Sequence, residues 1–168
     1  MVTMGELLQE LEQETTPTRR VLERVPQDQF DWKPHPKSMS LGQLALHVAT
    51  IPGAIADVAT RPTFDVRTSI PRPTPAGSAE LLAALSQSVA TAKQILGGMG
   101  DAGLTASWRM MDGTREVMAM PRSALLRTVL FNHWYHHRGQ LTVYLRQVGA
   151  LVPATYGGSA DENPLAPG

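Results

Sequence analysis

Prolines and glycines divide this chain into four segments in which apolar residues recur every three or four positions. That spacing places the apolar side chains on one face of an α-helix, and such a face must be buried against a neighbour. With 42% hydrophobic residues among 168, the chain can bury the core of one domain. We therefore predict an all-α fold, a four-helix bundle, in which residues 1–168 form a single domain.

The first two predicted helices start at residues that cap a helix N-terminus. Thr3 followed by Glu6 has the spacing of a capping box, so helix 1 is expected to span residues 3–25. Pro17 predicts a kink in this helix or a fresh start there. Ser40 is expected to cap helix 2, with a bend at Pro52-Gly53. The predicted buried stripe of helix 2 consists of Leu41, Leu44, Ala45, Val48, Ile51 and Ile55.

The link between helices 2 and 3 is long and rich in proline. Residues 61–76 contain four prolines, which predict an extended crossover with little regular structure. Helix 3 is expected to begin at Ser78 and to stop at Gly97-Gly98.

A short hairpin and the longest helix follow. Asp112-Gly113 predicts a two-residue turn in a small β-hairpin between helices 3 and 4, which we interpret as a lid and not a sheet. Helix 4 is expected to start at Pro121 and to end at a left-handed Gly149. Residues 153–168 are expected to lie on the surface or against a partner subunit. The hairpin methionines are interpreted as adaptable packing or as the lining of an apolar pocket: Met110, Met111, Met118 and Met120.

Composition argues against several classes of function. The chain has no cysteine, so a metal must use nitrogen or oxygen ligands. Fifteen basic and fifteen acidic side chains cancel, which gives no support for binding nucleic acid or a membrane surface. The N-terminal residues lack the pattern of a signal peptide, and no stretch reaches the roughly 20 apolar residues of a membrane span. We therefore predict a cytoplasmic protein.

Histidines are the candidate ligands. His133 and His137 are four residues apart, so their side chains leave one helix face, about 40° apart in direction and roughly 6 Å apart along the axis. The residue after His133 is not the glutamate that zinc peptidases use as general base, which argues against a protease. His47 lies among apolar residues of helix 2 and is the candidate third ligand, because bundles build metal sites from facing helices.

Other interpretations of these residues stay open. Histidine pairs at this spacing also occur by chance, as core or surface groups that bind no metal. His136 is expected to face solvent, a neighbouring helix or the ligands, and His35 to lie on the surface. Gln140 is expected either to hydrogen-bond a metal-bound water or simply to pack.

Four stretches of sequence resemble the DinB-like, damage-inducible family, which includes YfiT-type metal-dependent hydrolases. These stretches are DWKPHPKSMS (31–40), MSLGQLALHVATIPG (39–53), NHWYHHRGQLTVYLRQVGALVP (132–153) and YGGSADE (156–162). The resemblance implies an up-down-down-up bundle, frequent homodimers and a three-histidine site for zinc or nickel. The family's three ligands correspond to His47, His133 and His137. The family name refers to induction by damage, so it implies no contact with DNA.

Two functional hypotheses follow. Three imidazoles leave a coordination position open, where a water or a small thiol would become a nucleophile. The first hypothesis is a metal-dependent hydrolase, or a thiol S-transferase like some relatives, that uses a low-molecular-weight thiol on a small electrophile. The second is a non-enzymatic, stress-associated metal-binding bundle, because no acid or base is evident beside the histidines.

Overall fold

The computed structural model describes residues 2–164, which are mostly helical. Three long helices come first: α1 (Met4–Leu22), α2 (Leu41–Thr60) and α3 (Ser78–Leu104). The fourth helical region comprises α4 (Arg122–Leu125), a π-helical segment (Leu126–Asn132) and α5 (His133–Gln147) in direct succession. The prediction of a fold with four main helical regions is confirmed. The up-down-down-up order of the helices stays a prediction.

The predicted capping box at Thr3 and the predicted cap at Ser40 are both present, and Ser40 proves to be part of a capping box as well. The Thr3 hydroxyl accepts from the N–H of Glu6, and the Glu6 carboxylate accepts from the N–H of Thr3. Ser40 and Gln43 make the same reciprocal pair at the start of α2. These bonds satisfy N–H groups that have no partner within the helix.

α1 continues through Pro17 without a break, so of the two predicted alternatives, a kink or a fresh start, the fresh start is wrong. Thr18 and Val21, just beyond the proline, are fully buried. Packing of this last turn therefore outweighs the backbone hydrogen bond that the proline removes. The helix ends at Leu22, three residues before the predicted end.

The predicted end of helix 3 is also wrong. α3 continues past Gly97-Gly98, but Gly100, at φ +59° and ψ −174°, interrupts it with a kink, and a last short helical stretch then ends at Leu104. Leu96 and Leu104 are both buried on either side of this glycine-rich stretch. The helix therefore breaks at a glycine two residues after the predicted stop, where a positive φ has little steric cost.

A three-stranded sheet, and not an isolated hairpin, precedes α4. β2 (Ser107–Asp112) pairs antiparallel with β3 (Arg115–Pro121), and β1 (Thr63–Asp65) from the crossover pairs parallel with β2. The crossover therefore contains regular structure that its prolines did not predict. Asp112 lies opposite Arg115, so the turn residues are Gly113 and Thr114, one position later than predicted. Gly113 has φ +63°, which suits the first turn position of a type II′ hairpin.

α2 is the central helix and packs against both α3 and α5. Five of its six predicted core residues are buried, and Ile55 is half-buried. α2 is also long and apolar enough to span a membrane by length and composition, but most of that stretch is buried inside the bundle. Its apolar character is therefore accounted for by its place in the core.

The end of α5 has the predicted glycine cap. Gly149 has φ +76°, and its N–H donates to the Arg146 carbonyl, while the N–H of Ala150 donates to the Leu145 carbonyl. These two bonds make a Schellman motif, which satisfies carbonyls that the helix leaves free.

Residues beyond α5 lie along the chain's own α1 and α5. Glu162 pairs with Arg20 of α1 and with Arg24 just after that helix, and Asp161 pairs with Arg146 of α5 at 2.5 Å. Contact of this tail with a partner subunit stays a prediction, and residues 165–168 of it lie outside the described part of the chain.

Candidate metal centre

The structure brings the three predicted ligands together. His47 lies near the middle of α2, whereas His133 begins α5 and His137 follows one turn later. One ring nitrogen from each lies within 4.8 Å of those of the other two. Two helices remote in sequence thus present three imidazoles to one point, and this cluster can hold a metal ion.

The ring spacing suits a shared divalent ion. The Nε2 atoms of His47 and His133 are 3.1 Å apart. Two nitrogens at about 2.05 Å from one ion would be about 3.3 Å apart at a tetrahedral angle and about 2.9 Å apart at a right angle. The centroids of the His133 and His137 rings are 4.4 Å apart, and that of His47 lies 4.7 Å from that of His137. The residues present therefore fit a metal ion without large movement.

Burial keeps these imidazoles neutral. Desolvation, with smaller effects from the neighbouring histidines, lowers the pKa of His47 to about 4 and that of His133 to about 4. Desolvation also lowers the pKa of His137. Only a neutral imidazole has a free lone pair for a metal. The cluster is therefore in the ligating protonation state at neutral pH.

Gln140 fixes the orientation of one ligand. Its Oε1 lies 2.8 Å from Nδ1 of His137. An amide oxygen can only accept, so Nδ1 carries the proton and donates it, and Nε2 is left free for a metal. The sequence left two interpretations of Gln140 open, contact with a metal-bound water or simple packing. The observed bond to the ring of a ligand is neither of these.

The remaining two histidines lie outside the cluster. His136 is exposed, with its ring centroid 4.9 Å from that of His137. His35 is exposed in the loop before α2, where its Nδ1 accepts from the backbone N–H of Lys37. Neither histidine contributes one of the three converging ring nitrogens.

A buried hydrogen bond joins the two ligand-bearing helices beside the site. The indole N–H of Trp134 donates to the backbone carbonyl of Val48 at 2.9 Å. Val48 follows His47, and Trp134 follows His133, so this bond holds the two backbones next to their ligands. The sequence pattern gives no sign that the Trp134 indole acts as a donor between the two helices.

The π-helical segment ends where the ligands begin. Such a segment contains an extra residue per turn relative to an α-helix and is often found at functional sites. Here Leu130 and Phe131, adjacent in sequence, are both fully buried just before His133. The apolar periodicity gave no signal for the π-helical segment.

A cavity of about 360 Å³ opens beside His47, between α2 and the crossover. Its lining is mostly aliphatic, and His47 and Arg72 are its ionisable residues. Among the described residues that line it there is no aspartate or glutamate, and so no carboxylate base. The hairpin methionines do not line it either; Met110 and Met120 pack against the core, and Met118 is 44% exposed.

Comparisons with known proteins agree with this architecture. A DinB-like protein from Bacillus cereus ATCC 10987 superposes with a TM-score of 0.72 at 26% identity, over 92% of this chain and 98% of that one. The DinB-like protein YjoA from Bacillus subtilis has a TM-score of 0.67 at 20% identity, over 90% and 96% of the two chains, which shows likeness of fold alone.

Sequence relatives agree as well. The uncharacterized protein YrdA of Bacillus subtilis (strain 168) is 49% identical over 43 residues, which cover 26% of this chain and only 25% of that protein. The sequence profile of the DinB family matches residues 1–164. The matched range and the helical fold together show that this chain belongs to the DinB family.

Proposed function

We propose that this protein binds one divalent metal ion through His47, His133 and His137 and is a metal-dependent hydrolase or thiol-dependent S-transferase acting on a small electrophilic substrate. The observation that carries the proposal is the convergence of three half-buried imidazoles beside a cavity. Three protein ligands leave room for a further ligand, as catalytic sites do and closed structural sites do not.

The chain's own residues have defined tasks in this proposal. The three imidazoles, kept neutral by burial, hold the ion, and Gln140 keeps His137 in the tautomer that exposes Nε2. When bound, the ion would lower the pKa of a coordinated water or thiol and so supply a nucleophile near neutral pH. Because no carboxylate lines the described cavity, the proton released would leave to solvent or buffer.

The metal and cosubstrate are proposed from ligand chemistry. Imidazole suits zinc and nickel alike, and the 3.1 Å spacing between Nε2 atoms lies between the values for tetrahedral and right-angled ligand pairs. Because the chain has no cysteine, a thiol-dependent reaction needs an external, low-molecular-weight thiol as cosubstrate.

A second candidate is a non-enzymatic, stress-associated metal-binding bundle. The lack of an acidic residue in the cavity lining favours it, since many metal-dependent enzymes use a carboxylate as acid or base. In that case the ion would serve mainly to join α2 to α5. Metal removal would then lower the unfolding midpoint strongly, and no small molecule would bind the ion.

Assembly and location are proposed as well. We propose a homodimer in the cytoplasm, with the helices in up-down-down-up order. Val143 and Leu151, each 57% exposed near the end of α5, are apolar groups that a second subunit would cover. The packing of α2 against α3 and α5, and of α1 against α3, is compatible with that order. Light scattering after size exclusion would measure the subunit number.

The test compares a ligand with its exposed neighbour. His137→Ala should abolish stoichiometric metal binding, measured by elemental analysis, whereas the control His136→Ala should retain it. Turnover of 4-nitrophenyl acetate, or of 1-chloro-2,4-dinitrobenzene with 2-mercaptoethanol, should follow the bound metal. Equal metal content in the two variants would refute the metal site. Normal metal content without turnover or thiol binding would favour the non-enzymatic candidate.

A further inference from the structure

Arg72 is the only cation among the described residues that line the cavity beside His47. It lies in the crossover segment, and its charge is close enough to act electrostatically on both His47 and His137. A guanidinium and a divalent ion would thus lie at one small cavity without a carboxylate to neutralise either. Such a field attracts an anion.

The guanidinium of Arg72 has no partner among residues 2–164. Every other arginine in that range pairs with a carboxylate or donates to a hydroxyl or carbonyl oxygen. Examples are Arg127 with Glu10, Arg19 with Ser86 and Arg122 with the carbonyl of Thr60. The donors of Arg72 are therefore available to a ligand, and a guanidinium matches a carboxylate through two parallel hydrogen bonds.

The backbone of Arg72 is held in place although its side chain is free. The side-chain amide of Gln43 donates to the carbonyl of Arg72 at 2.9 Å, and its oxygen accepts from the N–H of Ser40. Pro75 is buried, and a Cβ on Gly42 would lie only 3.1 Å from its ring. The crossover is therefore packed closely onto the first turn of α2, and the backbone of Arg72 is held in place beside the cavity.

The rest of the cavity is apolar. Leu46, Ile51 and Ile55 line it from α2, and Ile70 and Pro71 line it from the crossover. About 360 Å³ is within the range of pockets that bind small organic ligands. Aliphatic walls disfavour a highly hydrated, multiply charged group, and one guanidinium is enough to bind a single carboxylate.

From this arrangement we propose that the cavity binds a small organic acid, with its carboxylate on Arg72 and its aliphatic body on α2 and the crossover. The inference deepens the proposed function and rests on it, because it makes the substrate an amphipathic carboxylate whose reactive end points to the three histidines. Arg72 then sets specificity.

The test uses 6-mercaptohexanoate and its neutral amide as probes of the full-length protein. Calorimetry measures both affinities, first on metal-free protein and then on the cobalt-loaded form, in which charge-transfer absorbance also reports thiolate ligation. Arg72→Gln removes the charge, Arg72→Lys retains it, and Arg115→Gln is the control. Arg115 is exposed in the hairpin, and its one ion pair among residues 2–164 is with Asp112.

The carboxylate should bind wild-type protein at least about tenfold more tightly than the amide, as expected for a hydrogen-bonded charge. Arg72→Gln should lose this preference, Arg72→Lys should keep part of it, and Arg115→Gln should keep all of it. Equal affinities on wild type, or an equal loss in Arg115→Gln, would overturn the inference. Failure to take up cobalt would count against the proposed function alone, because the metal-free measurement still decides the role of Arg72.

Discussion

Trp134 donates its indole N–H to the carbonyl of Val48, and Pro52 is the reason that this carbonyl is free. In an uninterrupted helix, residue 52 would donate to the carbonyl of residue 48, but proline has no N–H. The carbonyl that α2 leaves without a donor therefore accepts a hydrogen bond from α5. Because it lies beside His47 and His133, the same bond sets the separation of the ligand-bearing backbones.

Trp134→Phe should lower the free energy of unfolding by about 1–3 kcal/mol, because it leaves a buried carbonyl without a donor. It should also weaken metal binding, since the two helices lose a bond next to the ligands. Urea unfolding and metal titration measure these effects.

Trp108→Phe is the matched control for that change. Trp108 is as deeply buried as Trp134, but its indole N–H has no hydrogen-bond partner among the described residues. Its replacement should cost less stability than that of Trp134 and leave metal affinity unchanged. An equal or larger loss in Trp108→Phe would show that ring volume, and not the hydrogen bond, determines the effect.

Gln140→Leu should reduce metal affinity about tenfold or more without changing the stoichiometry, because partners of ligating histidines typically contribute 10- to 100-fold. The reason is the lost bond to Nδ1 of His137, which leaves that ring free to change tautomer. Competition with a chromophoric chelator measures the affinity. Gln147→Leu, at the exposed end of α5, is the control and should bind metal normally.

The metal-free protein should lose stability as pH falls from about 7 to about 4. The folded-state pKa values of His47 and His133 are lowered from 6.5 to about 4, so the unfolded state binds more protons in this window. The free energy of unfolding therefore decreases on acidification, and this contribution is constant above the window. Urea unfolding at several pH values measures the slope.

His47→Gln should flatten that pH dependence, whereas His35→Gln, which alters an exposed loop residue, should leave it unchanged. Carboxylates with lowered pKa values, such as Glu10 beside Arg127, change stability in the same direction in both variants. The difference between the two slopes thus isolates the cluster. Identical slopes would contradict the assigned neutrality of His47.

Glu10→Gln should destabilise the fold by about 1–3 kcal/mol at neutral pH. Glu10 is partly buried and accepts two bonds from Arg127, at 2.7 and 2.6 Å, and one from the Tyr135 hydroxyl at 2.5 Å. It therefore joins α1 to the helical region that carries two ligands. Glu12 lies on α1 as Glu10 does, but it makes an exposed pair with Lys93 of α3. Glu12→Gln should therefore change stability by less than about 1 kcal/mol. Thermal or urea unfolding of the two variants decides between them.

Local signals in the sequence predicted much of this molecule. The capping box at Thr3, the cap at Ser40 and the glycine cap at Gly149 each depend on a few neighbouring residues, so they can be predicted without knowing the fold. The His133–His137 pair follows from helical period, and His47 stood out as a polar group on an apolar face. The three-histidine cluster therefore required only that two helices face each other.

Features that depend on long-range packing were missed. Gly97-Gly98 did not end α3; the break comes at Gly100, and a further short helical stretch beyond it buries Leu104. β1 formed in a proline-rich segment because β2 supplies partners for its backbone, and the Val66 N–H just after β1 donates to the Met111 carbonyl of β2. Nothing local connects Arg72 with His47, or Trp134 with Val48. Only the assembled bundle makes these pairs neighbours.

The π-helical segment before His133 implies that the metal site depends on how this helix is wound as well as on residue type. A π-helical segment takes up about one residue more than an α-helix, so the same seven residues wound as an α-helix would rotate everything after them by about 100° relative to α4. His133 and His137 would then leave the face that meets His47, although all three histidines would still be encoded. In evolutionary terms, a π-helical turn here absorbs the insertion of one codon and keeps both ligands in place.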